Sequence, residues 1–219
     1  MSGLFVTIEG IDGSGKTTML RALADRLSAG GADVIRTREP GGSPGAEAIR
    51  ALLLDQGNDW SPEVELILFN AARRDHCEKT VMPALRRGAI VLCDRFIDST
   101  RAYQGVRNPH LRQTIENMHA DLLSDATGAP LMPDITFLLD IDARAAAERS
   151  AAGKEGEQRF EQMGLSFQRD VRTSLLEVAR RDPQRVRVLD AACPVETLAM
   201  YAATMIDSLQ ACNVDDCSL

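Results

Sequence analysis

Residues 10–17 set three glycines, a lysine and a threonine at the spacing G-x-x-x-x-G-K-T, a pattern suited to gripping a chain of phosphates. Glycine lets the backbone curl until successive N–H groups converge on anionic oxygen. Lys16 can bridge the β and γ phosphates of a nucleoside triphosphate, and the Thr17 hydroxyl can sit on Mg²⁺. The run Gly10, Ile11, Asp12, Gly13, Ser14, Gly15, Lys16, Thr17 and Thr18 is therefore read as an ATP-binding loop, with Lys16 acting on the transferred group.

Further charged groups recur where such a loop needs them. Asp94 and Arg95 follow the apolar run Ala89–Cys93, so an acid and a base arrive together at one strand end. Asp94 can hold Mg²⁺ beside Thr17, and the Arg95 fork can clamp phosphate. Phe69 and Arg73 stand four apart on one predicted helix, a face that can hold an aromatic base; Arg74 follows them. Arg38, Glu39 and Pro40 precede two glycines in a tight loop. The segment Ser150 to Gln158 is small and charged, and with Arg149, Lys154 and Arg159 around it reads as a mobile lid over about 149–160.

The elements that must position these groups come from hydrophobic patterning. Short apolar runs at Leu4–Ile8, Val34–Thr37, Ala89–Cys93, Ile135–Leu139 and Val186–Leu189 read as five buried strands. Between them lie predicted helices at about 16–29, 44–54, 62–87, 108–124, 142–151, 160–181 and 194–210. Ser61-Pro62 opens one of them and Gly88 closes it. Such alternation implies an α/β fold, a five-stranded parallel sheet flanked by helices.

A chain of 219 residues fits one domain, expected over 1–211, with 212–219 a flexible tail. A net charge of −7, from 25 basic and 32 acidic side chains, argues against a nucleic-acid partner, whose phosphates demand the opposite sign. No apolar run approaches the roughly 20 residues of a membrane helix. The first ten residues carry no secretion signal, and five cysteines without a CxxC pair read as free thiols. The expected setting is the cytoplasm, with no membrane partner.

Five blocks together resemble the thymidylate kinase family: IEGIDGSGKTT at 8–18, TREPGG at 37–42, FNAARRDH at 69–76, DRFIDSTRAYQG at 94–105 and PDITFLLD at 133–140. The resemblance implies the P-loop fold of nucleoside monophosphate kinases, ATP and Mg²⁺ as cofactors, and dTMP as phosphoryl acceptor. It implies that Phe69 stacks on the thymine ring and Arg73 bonds its edge. Asp12 matches a position that holds the sugar 3′-hydroxyl, while Tyr103, read as a loop residue, and Gln104 match positions against deoxyribose and base. Arg38, Glu39, Pro40, Arg95 and Ser99 complete the implied acceptor set. The P-loop has no arginine, which resembles the lid-dependent type, although only Arg149, Lys154 and Arg159 are on offer here. Members of the family are commonly homodimers, and the same is expected of this chain. Three other readings stand beside this one: a different nucleotide or deoxynucleoside kinase; a P-loop GTPase or ATP-driven switch, for which the guanine-reading NKxD motif is missing; and a catalytically silent nucleotide-binding module, against which Lys16, Thr17, Asp94 and Arg95 are all intact.

Overall fold

Within the strands, successive side chains serve opposite faces of the sheet; both faces are buried in the three central strands, whereas the edge runs Val34–Arg38 and Val186–Asp190, also expected to be buried, are partly exposed because each has a neighbour on one side only. Leu4, Val6 and Ile8 of β1 (Leu4–Glu9) join one apolar cluster, while Phe5 between them joins another. The neighbouring strand β3 (Ile90–Asp94) repeats the pattern, with Ile90 and Leu92 on one side and Val91 and Cys93 on the other. A sheet buried on both sides needs continuous apolar runs, and this is why they were legible as strands.

The structure is a computed structural model and describes residues 3–124, 127–152 and 163–215. Its five strands are all parallel, in the order β2-β3-β1-β4-β5, with β2 at Val34–Arg38, β4 at Ile135–Asp140 and β5 at Val186–Asp190. Register aligns Ile8 with Asp94 and Asp94 with Arg38, so the carboxyl ends of β1, β3 and β2 emerge side by side. Helices α1 (Lys16–Ala29), α8 (Gly164–Arg181) and α9 (Val195–Asp215) cover one face; α3 (Pro62–His76), α4 (Met82–Arg86) and α6 (Arg112–Leu122) serve the other. Between them in sequence lie α2 (Pro44–Leu54), α5 (Ile97–Arg107) and α7 (Ala143–Ala152).

The structure departs from the predicted elements at four places, two of them with a clear physical cause. The expected helix 62–87 is split by a π turn, Cys77–Val81, ahead of α4. Pro83 has no N–H to return to the preceding turn, so the ladder re-registers there. Ser61 still caps the start of α3, accepting from Val64 N at 3.3 Å. Residues 97–107, read as a loop around Tyr103, are instead the helix α5. Ile97, Asp98, Ser99, Thr100, Ala102, Tyr103, Gln104 and Gly105 are all buried, so this helix has no polar face to alternate with an apolar one. Ser150 to Ala152, expected to begin the lid loop, continue α7; residues 153–160 of that expectation lie outside the described residues. The last helix, expected to end near 210, runs on to Asp215.

Helix α5 is anchored from below by charge. Arg185, at the foot of β5, donates to Asp98 Oδ2 at 2.6 Å and to Thr136 Oγ1 at 2.8 Å, and Arg101 pairs with the same Asp98 at 2.8 Å. Burial would raise the Asp98 carboxyl, but the Arg185 and Arg101 guanidinium groups hold it below its usual range.

Candidate active site

The phosphate-binding loop joins β1 to α1 at the sheet's carboxyl edge. Gly13 has φ 79°, and a Cβ there would stand 2.1 Å from the Ala146 carbonyl oxygen of α7, so glycine alone allows the two backbones to meet. Gly15 caps α1 in the left-handed region at φ 93°. Lys16 begins α1 and is buried, its Nζ donating to the Ile11 carbonyl at 2.9 Å. Burial first, and the nearby Arg95 second, lower the Lys16 ammonium from its usual range. Two cations held this close gain from an anion between them.

Thr17 donates its hydroxyl to Asp94 Oδ2 at 2.9 Å, while Asp94 Oδ1 is buried with no hydrogen-bond partner among the described residues. A spare carboxylate oxygen beside a hydroxyl is a donor set that fits Mg²⁺, which takes oxygen ligands and keeps several waters. The two groups expected at the metal therefore meet in space.

Arg95 is the one non-glycine with positive φ among the described residues, at 71°. A left-handed conformation costs an ordinary residue roughly 1–2 kcal/mol and persists only where its surroundings enforce it. Here its amide is bonded to the Ile8 carbonyl at 3.0 Å, and its guanidinium is held by four groups. Nη1 donates to Gly10 O at 3.0 Å and Ser99 Oγ at 3.1 Å; Nη2 donates to Asp12 Oδ1 and to Tyr103 Oη at 3.2 Å. The Tyr103 ring lies 4.9 Å from the guanidinium carbon. Burial pushes the Tyr103 phenol above its usual range, so it stays protonated. Burial would also raise Asp12, but Arg95 and Lys16 keep it below the normal carboxylate value.

The turn from β3 into α5 is fixed by Glu9, an acid that the motif reading passed over. Its Oε1 accepts from Phe96 N at 2.8 Å and Ser99 N at 3.2 Å, and Oε2 accepts from Ser99 Oγ at 2.6 Å. Glu9 thus caps α5 from a neighbouring strand. Burial and then the adjacent Asp98 push its carboxyl up from 4.5 to about 7. The folded protein keeps this proton to higher pH than the unfolded chain, so stability drains away as pH climbs from 4.5 to about 7. The full loss is on the order of 3 kcal/mol. Glu9→Gln keeps the shape and cannot ionise. Thermal melts of both proteins from pH 5 to pH 8 are expected to show the variant's midpoint rising relative to wild type as pH increases; a pH-independent difference would refute the assignment.

Beside the phosphate loop lies a cavity lined by Asp12, Glu39, Pro40, Phe69, Arg73, Arg95, Phe96, Ser99, Thr100, Tyr103 and Gln104. At its back Arg73 is almost wholly buried, donating Nε to Glu39 Oε2 at 2.6 Å and Nη2 to Thr100 Oγ1 at 2.8 Å. Its guanidinium carbon stands 5.1 Å from the Phe96 ring centroid. The remaining nitrogen, Nη1, is buried and has no partner among the described residues. An orphaned charged donor is costly, and a ligand acceptor would satisfy it. Glu39 is held on its other oxygen by His76 Nδ1 at 3.0 Å, and His76 Nε2 meets Thr37 Oγ1 at 2.7 Å. Burial alone would raise Glu39, yet Arg73 and His76 keep it low. Glu39, His76 and Cys77 cluster closely enough to suggest a metal, but both Glu39 oxygens are already engaged.

Several of the remaining residues singled out from the sequence line a wider cleft. The P-loop, Thr18, Arg38 and Arg149 line it, together with Arg36, Arg50 and Thr80, which carried no motif. Arg38 pairs with Glu47 at 3.0 Å. Arg149 donates to the Ala191 carbonyl at 2.9 Å. Arg74 turns away, bonding the Leu122 carbonyl at 2.7 Å. Lys154 and Arg159 lie outside the described residues. Besides Glu9, sequence reasoning missed Phe96, Thr100 and Gln168, whose Nε2 donates to Asp12 Oδ2 at 3.3 Å from α8. Phe96 and Thr100 sit inside a recognised block and were legible there; nothing in α8 marks Gln168 except its place on the buried side.

Comparison with known proteins agrees with this geometry. Residues 8–200 match the family model described as thymidylate kinase. The thymidylate kinase of Ruegeria pomeroyi is 47% identical over 199 residues, covering 90% of this chain and 92% of that one. That of Caulobacter vibrioides is 48% identical over 205 residues, covering 93% and 96%. The crystal structure of the Ehrlichia chaffeensis thymidylate kinase superimposes with a TM-score of 0.73 at 34% identity, over 92% of this chain and 99% of that one.

Proposed function

Because the chain belongs to the thymidylate kinase family, whose members are nucleoside monophosphate kinases, we propose that it transfers the γ-phosphoryl group of Mg-ATP to dTMP, giving dTDP and ADP for DNA precursor synthesis. The observation that carries this reading is the junction of two spaces. The cavity lined by Phe69 and Arg73 and the phosphate-loop cleft share Asp12, Glu39 and Arg95.

An acceptor phosphate monoester has a second pKa of about 6, so its attacking oxygen is ionised at neutral pH and no general base is required. The acceptor oxygen bonds to the γ-phosphorus as the bond to the ADP oxygen breaks, and positioning with charge stabilisation supplies the catalysis. Lys16 and Arg95, the two cations that act on Asp12, would exchange their Ile11 and Gly10 carbonyl contacts for phosphate oxygens in this step. Thr17 and Asp94 would hold Mg²⁺, which when bound neutralises charge on the polyphosphate. Arg149, Lys154 and Arg159 are assigned jointly as lid cations.

For the acceptor, Phe69 offers a ring face to the base and Arg73 Nη1 an unused donor to its edge. Asp12 takes the sugar hydroxyl, and Tyr103 stands where a 2′-hydroxyl would crowd. Arg38, Glu39, Pro40, Ser99 and Gln104 complete the acceptor side. We read residues 1–211 as one kinase domain and 212–219 as its tail. A homodimer is favoured by Leu52 of α2 and Val64 and Ile67 of α3, large apolar side chains left exposed on neighbouring helices. Buried Cys77 and Cys93, free thiols both, suit the reducing cytoplasm.

Coupled assays with dTMP, dUMP, dCMP, AMP and thymidine test the reading. Turnover of dTMP is expected to exceed that of dCMP and AMP by on the order of 10²-fold or more in kcat/KM, the scale set by leaving buried polar groups unpaired. The preference over dUMP should be smaller, roughly 10-fold, since one methyl group is at stake. Equal turnover of all five would remove the acceptor assignment.

A further inference from the structure

Glu65 lies in the first turn of α3 and is almost wholly buried. It lines neither the cavity nor the phosphate cleft. Its Oε1 accepts from Gln104 Nε2 at 3.1 Å, and Oε2 pairs with Arg107 Nη1 at 3.2 Å. Gln104 is buried too, and it does line the cavity. A primary amide has two nearly isosteric ends, one accepting and one donating, and its orientation is set by what surrounds it. An ionised carboxylate only accepts. With Glu65 on one side, the Gln104 nitrogen must face it, and the carbonyl oxygen is the end left for a ligand. No hydrogen bond from a described residue engages that oxygen.

We propose that Glu65 is a positioning residue that fixes the hydrogen-bonding polarity of the acceptor cavity by holding the Gln104 amide in one orientation. Arg73 Nη1 then presents a donor, and Gln104 Oε1 an acceptor. A 4-oxo pyrimidine, whose ring N3 carries hydrogen beside an oxygen acceptor, matches this order. A 4-amino pyrimidine reverses both: its amino group faces a guanidinium and its bare N3 faces a carbonyl. Arg107, on the same helix as Gln104, keeps a cation against Glu65. Discrimination thus originates one shell behind the residues that touch the base. The inference rests on the dTMP reading above.

The test is the ratio of kcat/KM for dTMP to that for 5-methyl-dCMP, two acceptors that differ only at the 4-position and N3. Wild type is expected to favour dTMP; failure at this step would count against the dTMP reading itself. E65Q keeps the volume but can donate or accept, so it releases the Gln104 amide to turn over. Its ratio is expected to fall by at least ~10-fold, with 5-methyl-dCMP gaining in absolute terms. A merely structural role would slow both acceptors equally and leave the ratio unchanged, and that result would overturn the proposal. E65D provides the second arm should E65Q fold poorly. It still only accepts, so the ratio should stay within ~3-fold of wild type. A collapsed ratio in E65D would likewise overturn it.

Discussion

Replacing Lys16 with methionine is expected to lower kcat roughly 10³-fold while leaving the thermal midpoint unchanged or slightly raised. The size follows from the charge. A unit charge about 4 Å from another is worth ~4 kcal/mol at the effective dielectric of a protein surface, and each ~1.4 kcal/mol of barrier is tenfold in rate. The sign on stability follows from the surroundings. Lys16 is buried, and both burial and Arg95 oppose its protonated form, while among the described residues its ammonium donates to a loop carbonyl. Methionine is unbranched, favours helices and fills nearly the same path at the start of α1. Single-turnover kinetics with saturating ATP, together with a thermal melt, separate the two effects. Activity retained to within ~10-fold would mean that another cation bears the load assigned to Lys16.

The second large effect is expected from Arg95→Lys, a change that preserves charge. We expect kcat/KM for dTMP to fall by about 10²–10³, mainly through a raised acceptor KM, with the ATP KM little changed. Arg95 contacts Gly10, Asp12, Ser99 and Tyr103 through two different nitrogens, which holds the plane of the guanidinium fixed. An ammonium is a point charge on a flexible stem and cannot hold Asp12 while clamping a phosphate in two places. Because lysine at this site keeps the φ of 71°, the backbone cost is common to both proteins and does not enter the comparison. Initial rates over a dTMP titration decide the matter. A variant with unaltered acceptor KM would show that charge alone suffices there.

The two variants probe groups of different legibility. Lys16 was evident as a candidate because the role proposed for it depends on local sequence: the loop, the glycines and the helix start lie within ten residues. Arg95 was evident as a charged residue after a strand, but its left-handed backbone was not, since that conformation is imposed by Ile8, Gly10 and Asp12, more than eighty positions away. Glu9 illustrates the opposite failure. It sits one residue before a recognised motif, yet its elevated proton affinity depends on burial against α5 and on Asp98. Gln168 and Glu65 offered no pattern, because each reaches the site through a residue distant in sequence, Asp12 or Gln104.

By itself the sequence determined the strands, most of the helices, the phosphate loop and the family, since these follow from apolar periodicity and from chemistry confined to short spans. Tertiary structure alone decided that 97–107 is helical, that Arg73 keeps one donor free, and that Asp94 meets Thr17 with an oxygen to spare. The physical reason is the same throughout. Burial and hydrogen-bond satisfaction are properties of groups brought together from distant parts of the chain, and it is those properties, rather than residue type, that set which atoms remain available to a ligand.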